Sequence, residues 1–403
     1  MGMAIPVSMS AFLRPPAAHP PGGLHRRTHL LRIARRAVLL YAIGTFLGVY
    51  PFLPELVDHL RFTGVLQRLG VVYLVVSLLY ITCAWSLLQA DGGRKTLQDE
   101  PAAAARVGRP RRSGRLLARM FLLGGFPLLC AGLWIAATYT FHNPWPECAG
   151  VRGLAADCSL QAYVDTSVWG VGHNFDGAKF DPEGLVSTLV AAVNCWAGLM
   201  VGMDIVRNKP HYSTVAAVRR RVVLLIATGT ACAAAGDVLG LAIPIGKHLW
   251  TPSYALVAIG IMTAGFALVL LAFDGKLWPA PDHPGDIGAA GTGSSLGRRV
   301  PGAPAGVSGA IRRGLVLVGE TLVALGRNPL FFYALSELVI TTLNYIPVQY
   351  HGREESVWTV GAGLGLASGM PGPLASMVWA TLWLLLFYAF LARLLVAGWY
   401  IRV

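Results

Sequence analysis

Four short runs hold the side chains of this sequence that could do chemistry. LRFTGVLQRLG (60–70) places Arg61, Gln67 and Arg68 at the start of a long apolar stretch. AYVDTSVWGVGHNFDGAKFDPEGL (162–185) carries Asp165, His173, Asp181 and Glu183 beside Tyr163 and Trp169. PIGKHLWTPSY (244–254) offers Lys247 and Trp250, and LGRNPLFFYALSEL (325–338) offers Asn328, Ser336 and Glu337. Acids, guanidinium groups and aromatic rings together can hydrogen-bond to and stack on a carbohydrate, or hold an anionic group. Each run also has a plainer reading. Gln67 and Arg68 would serve as a snorkelling anchor with a helix–helix hydrogen bond. Asp181, Pro182 and Glu183 suit the cap and first turn of the apolar helix that follows. Lys247 and Trp250 match ordinary interface anchors. A lone histidine such as His173 is more often structural than catalytic.

The elements that must position these groups are long apolar stretches. About eight of them match the thickness of a bilayer's hydrocarbon core. They fall at 37–53, 64–89, 116–140, 185–206, 222–243, 253–273, within 314–346 (with an extra half-helix near 314–326) and at 375–398. The loops between them alternate in basic content. Segments 13–36, 90–115 and 207–221 are rich in Arg and Lys, and 274–310 is rich in Gly, Pro, Ala and Ser and ends near Arg312 and Arg313, whereas 141–184 is acidic. Lys/Arg excess marks cytoplasmic loops. The reading is an all-α, polytopic transmembrane bundle forming one domain over 1–403, with flexible cytoplasmic loops at 90–115 and 274–310. It has an outer loop at 141–184, a Gly/Pro outer loop at 347–374, a cytoplasmic C-terminus and an N-terminal helix fragment.

Composition agrees. The 403 residues are 55% hydrophobic and 13% charged, with a mean hydropathy of +0.56; soluble domains carry about 25% charged residues. The net charge of +13 sits in loops beside apolar spans, where it sets topology and meets anionic lipid rather than nucleic acid. Asp237, Ser336 and Glu337 fall within spans, where an ionisable group should be paired or face a cavity. Cys148 and Cys158 share the acidic loop, so a disulfide is plausible there. Small residues Ala233–Gly236 would allow close helix contact and a homodimer. No phosphate-binding glycine loop, zinc helix motif or nucleophile elbow is present, and no metal is expected.

RFTGVLQRLGVVYL (61–74), YVD with FDPEGLVSTL (163–165, 180–189), PIGKHLWTPSY and LGRNPLFFYALSEL, in this order, resemble the transmembrane acyltransferase family of heparan-alpha-glucosaminide N-acetyltransferase and its bacterial relatives. The resemblance implies transfer of an acetyl group from cytosolic acetyl-CoA to an amino sugar or glycan across a bacterial inner membrane. Arg35, Arg36, Arg219, Arg220 and Arg221 would then face the CoA phosphates. The pocket for a small-molecule or glycan acceptor would use Arg61, Gln67, Arg68, Asp165, His173, Asp181, Glu183, Lys247 and Trp250.

Two features depart from the family pattern. The family's opening helix and its histidine-bearing loop have no counterpart here, so no catalytic residue is assigned; a truncated gene model is the expectation. The family's Asn in the outer turn is replaced by Gly246. A transporter of a small polar solute and a non-catalytic remnant are the competing readings.

Overall fold

The computed structural model describes residues 1–9, 23–99, 119–151, 153–207, 214–273, 319, 326 and 328–396. By contact the chain forms two compact units, Met1–Gly48 with Asp58–Leu270, and Val49–Val57 with Leu271–Val403. Among the described residues six helices are long and apolar enough to cross a membrane. They cover Val65–Cys83, Phe121–Thr140, Leu185–Val206, Val215–Gly240, Pro252–Ala272 and Gly372–Leu391.

Two of the expected spans are absent from that set. Helix α2 (Gly23–Val49) begins inside the segment expected to be a basic loop, so Arg32, Arg35 and Arg36 are helical and only 37–49 is continuously apolar. Thirteen apolar residues extend about 20 Å, short of a hydrocarbon core of about 30 Å. The span expected within 314–346 is represented by a helix of 17 residues, Pro329–Tyr345, and most of 314–327 lies outside the described residues.

In the first unit, α1 (Ala4–Ser8) is the expected N-terminal fragment. It packs on a later helix where Gly198 and Gly202 leave room; a Cβ on Gly202 would come 2.5 Å from the Met3 carbonyl oxygen. Such small-xxx-small faces let helices approach closely. Helix α2 and α4 (Val65–Asp99) run antiparallel, with Gly70 against Ala37 and Leu40 and Gly44 against Gln67. In sequence the short α3 (Pro54–Asp58) follows α2; all of it but Asp58 belongs to the second unit. The helical backbone of α4 continues to Asp99, so residues 90–99 of the expected 90–115 loop are helix; 100–115 and 274–310 lie outside the described residues.

A π-helical turn (Phe121–Gly125) leads into α5 (Phe126–Thr140), and its Leu122 carbonyl accepts a hydrogen bond from the Trp196 indole at 2.6 Å. The 141–184 loop contains α6 (Leu160–Trp169), capped by Ser159 and ended by Gly170 at φ +83°. Cys148 and Cys158 are disulfide-bonded. Then come α7 (Leu185–Arg207), α8 (Val215–Gly240) and α9 (Pro252–Phe273). Thr214 caps α8, so Arg219, Arg220 and Arg221 lie on a helix rather than in the expected turn. Gly236 and Ala233 of α8 face Val257 and Gly260 of α9. Part of the small-residue stripe is thus used within the chain.

The second unit contains α10 (Pro329–Tyr345), a hairpin of β1 (Pro347–Tyr350) and β2 (Arg353–Ser356), α11 (Val357–Ala367) and α12 (Gly372–Val396). The strands pair antiparallel, Pro347 opposite Ser356 and Tyr350 opposite Arg353. The all-α polytopic reading stands, with this one small hairpin added; the hairpin and α11 replace the plain loop expected at 347–374. Its two-residue turn is His351–Gly352, with φ +51° and +75°, the primed geometry that matches strand twist.

Candidate functional site

The site is built in the first unit where the 60–64 turn, the start of α4, the 165–187 segment and the 244–251 turn converge. The 60–64 turn is held from several sides. His173 Nδ1 hydrogen-bonds the Leu60 carbonyl at 2.8 Å, and the Tyr41 hydroxyl donates to the Phe62 carbonyl at 2.9 Å. The Phe62 ring stacks on Trp169 at 4.8 Å and lies 5.1 Å from the His173 ring. A carbonyl only accepts, so Nδ1 carries the proton in this contact. Through this contact His173 supports the 60–64 turn.

That fixed turn aims Arg61 at the acids. Its Nε donates to Asp181 Oδ2 at 2.6 Å, one terminal nitrogen donates to Asp181 Oδ1, and the same nitrogen reaches Glu183 Oε2 at 2.5 Å. The guanidinium also covers the Phe175 ring at 4.8 Å. Asp181 is 1% exposed and takes two further backbone donors, Phe175 N at 3.1 Å and Glu183 N at 2.8 Å. Asp181 therefore orders its own turn and pairs with Arg61. It does not cap the next helix as expected.

That cap comes from Asp165. Its carboxylate, 0% exposed, accepts from Leu185 N, the first residue of α7, at 3.0 Å and from Asp181 N at 3.2 Å. The approach requires a glycine: a Cβ on Gly184 would lie 2.0 Å from Asp165 Oδ2. Burial pushes the Asp165 carboxyl up to about 6, the two backbone donors opposing it and the nearby Asp181 adding to it. Desolvation disfavours the charged form of an acid.

Arg68 is different from Arg61. It is 7% exposed, and among the described residues it forms no ion pair. One terminal nitrogen donates to the Pro182 carbonyl and, at 2.7 Å, to Ser187 Oγ, while Nε is buried without a hydrogen-bond partner. Its guanidinium lies 4.5 Å from the centre of the Trp250 ring, a cation–π contact that gains strength when desolvated. Trp250 sits at φ +50°, an unusual backbone for a bulky residue that persists only where the surroundings enforce it. Here the turn is enforced by Thr251 Oγ1, which accepts from Gly246 N at 3.0 Å and Tyr254 N at 3.3 Å. The Trp250 indole in turn donates to Asn194 Oδ1 at 3.4 Å. Gln67 is buried, and its amide oxygen fills the space left by Gly44 and Gly64.

The result is a preorganised polar cluster of two guanidinium groups and three carboxyl groups at the mouth of α4 and α7. No protein-family model matches the chain. Over 288 residues, 63% of the chain, the sequence is 26% identical to human heparan-alpha-glucosaminide N-acetyltransferase. The chain resembles this N-acetyltransferase at the family level. The match spans 38% of that relative's length.

Arg61, Gln67, Arg68, Asp165, Asp181, Glu183 and Trp250 of the predicted pocket come together, with His173 as a support of the turn. Lys247 is exposed and makes no ion pair among the described residues. On the predicted cofactor face, Arg35, Arg36, Arg219 and Arg220 are exposed, Arg36 with its guanidinium 5.8 Å from the Tyr73 ring centre. Arg221 donates to Asp204 at 3.0 Å, so part of its charge is met within the bundle. Asp237 is exposed within a turn of the end of α8, without an ion pair among the described residues. The helix ends three residues later, at Gly240. In the second unit Asn328 is buried at the N-cap position of α10, and Ser336 Oγ donates to the Tyr333 carbonyl at 2.8 Å. Glu337 is half-buried. Among the described residues no group of His, Cys, Asp and Glu is arranged to hold a metal ion.

Sequence reasoning missed Gly184, Ser187, Asn194 and Phe175. Only Gly184 left a signal, as the residue that ends the Asp-Pro-Glu-Gly run before an apolar helix.

Proposed function

We propose that this chain is an integral membrane acyltransferase-like protein that moves an acetyl group from cytosolic acetyl-CoA to an amino sugar or glycan on the other side of the membrane. The observation that carries the reading is the part-buried Arg61–Asp181–Glu183 and Arg68–Trp250 cluster, formed by the same motifs that resemble the N-acetyltransferase family. Arg68 is the part of the cluster left without a carboxylate partner, so a polar oxygen of the acceptor is a fitting addition there.

In the proposed reaction the acceptor nitrogen attacks the thioester carbonyl, a C–N bond forms, the C–S bond breaks with CoA leaving as its thiolate, and the proton lost by the amine is taken by a base and returned to the thiolate, giving the amide and free CoA. The residues described here bind and orient the acceptor. Asp165 acts as a positioning residue, because its carboxyl is sealed beneath Gly184 and committed to backbone donors. A dry site would also limit loss of the thioester to water.

The test is acetyl transfer from labelled acetyl-CoA to glucosamine-type acceptors in membranes that express the full reading frame, compared with Arg68→Ala. Cysteine labelling of positions in 100–115 and 141–184 accompanies it. Transfer that falls at least tenfold in the variant, with the two segments labelled from opposite sides, supports the reading. A correctly inserted protein that acetylates no amine or hydroxyl sugar, or labelling of both segments from one side, overturns it.

A further inference from the structure

Helix α2 carries five arginines and no acidic residue, and no acid stands in the sequence before Glu55. Its packing uses one narrow stripe. Ile33, Ala37, Leu40 and Gly44 are buried, with Gly70 of α4 against Ala37 and Leu40 and Gln67 against Gly44. A second stripe, shifted by two residues and so turned to the opposite side of the helix, runs through Leu31, Arg35, Val38, Ala42 and Phe46. All five are exposed, Leu31 by 62% and Val38 by 66%. Arg35 is the charged member of this otherwise apolar stripe, and Arg32 neighbours it at a spacing of three residues. Neither arginine forms an ion pair among the described residues.

Depth decides what meets these guanidinium groups. Lys/Arg excess puts this end of α2 on the cytoplasmic side. Counted back from Val49, where the helix ends, Arg35 lies about 21 Å along the axis and Arg32 about 26 Å. The hydrocarbon core is about 30 Å thick, so both backbone positions fall short of its inner boundary, and tilt would shorten the reach further. An arginine at that level is costly unless it snorkels or the leaflet thins to bring phosphate to it. Two neighbouring guanidinium forks can hold one phosphate through paired N–H donors. Coenzyme A offers phosphate of the same chemistry. However, Arg35 stands between Leu31 and Val38 on an exposed apolar face, which a bilayer covers, and a soluble cofactor would have to leave water to reach it. With no acid on the helix to offset its charge, an anionic headgroup fits better than a zwitterionic one.

We propose that Arg32 and Arg35 bind the phosphate of an anionic phospholipid in the cytoplasmic leaflet, with an acyl chain along the stripe through Val38, Ala42 and Phe46. This gives Arg35 a lipid partner in place of the CoA phosphates expected from the resemblance. The inference rests on the membrane embedding of the chain and is independent of acetyl transfer.

The experiment reconstitutes the full chain in phosphatidylcholine vesicles that hold a trace of photoreactive lipid. Two probes are compared, phosphatidylglycerol and phosphatidylcholine with the same diazirine on the same acyl carbon, followed by irradiation and peptide mapping. The expected result is labelling of 27–46 several-fold higher with the phosphatidylglycerol probe. Arg32→Gln together with Arg35→Gln should cut that excess at least threefold, while free coenzyme A in excess should leave it unchanged. Arg393→Gln, at an exposed arginine in the last turn of α12, is the control and should also leave it unchanged. Arg32→Lys together with Arg35→Lys keeps the charge that orients the helix but loses the forks, and should lower the labelling by a smaller factor. Should the glutamine pair fail to insert, the lysine pair decides alone. Equal labelling by the two probes, no drop in the variant that decides, or displacement of the lipid by coenzyme A would overturn the inference.

Discussion

Gly184→Ala isolates the contact on which the whole polar cluster depends. The new methyl group would lie 2.0 Å from Asp165 Oδ2 and 2.5 Å from its carboxyl carbon, and the backbone at Gly184 is not in the left-handed region. The cost is therefore steric and falls on Asp165. A fully buried carboxylate has nowhere to move except off its two donors, Leu185 N and Asp181 N. Hydrogen bonds to a charged group are worth about 1.5–3 kcal/mol each, so the loss should be about 3–6 kcal/mol. The readout is the unfolding temperature in mild detergent, followed with a thiol-reactive dye that reports exposure of buried Cys83, Cys130 and Cys195. A drop on the order of 5 °C or more is expected. Gly132→Ala, where a Cβ would meet nothing within 4 Å, is the matched control and should change little. A Gly184→Ala protein that unfolds within 1 °C of the parent would refute the argument that Asp165 holds α7 through this gap.

The remaining predictions concern the same end of the first unit. Because the folded-state Asp165 carboxyl titrates at about 6, above its ordinary 3.8, the folded state favours the protonated form. Its contribution is present in full below about pH 4 and declines by about 3 kcal/mol as pH rises through 6; Asp165→Asn should flatten that slope in unfolding measured from pH 4 to 8, and parallel slopes would count against it. Arg61→Ala leaves the buried Asp181 carboxylate without its partner and should cost about 3–5 kcal/mol, read in the same assay, while Glu147→Gln, on the exposed pair with Lys179, should leave the unfolding temperature nearly unchanged. Removing the Cys148–Cys158 bridge, which closes a loop of sequence separation 10, should cost about 3 kcal/mol by loop-closure entropy. A reductant should then lower the unfolding temperature of the parent but not of the double serine variant.

The sequence by itself determined the solvent this protein is built for. Long apolar stretches such as 185–206 and 253–273 read directly as helices, because a backbone that crosses lipid must satisfy its own hydrogen bonds. It also singled out Arg61, Arg68, Asp165 and Asp181 as groups that could do chemistry. It could not say which partner each would meet. Arg61 meets Asp181 across a separation of 120 residues, and the choice of Asp165 over Asp181 as the cap of α7 turns on whether Gly184 lets a distant carboxylate approach. The ends of elements were illegible for a similar reason. Arg35, Arg36 and Arg219–Arg221 looked like loop residues by charge, yet a helix can carry exposed arginines on one side while Ile33, Ala37 and Val218 pack on the other. Local composition fixes what a segment must bury. Which surfaces meet, and which charge is left over as Arg68 is, is decided when separate helices close against one another, because hydrogen-bond reach and close packing are properties of the assembled bundle.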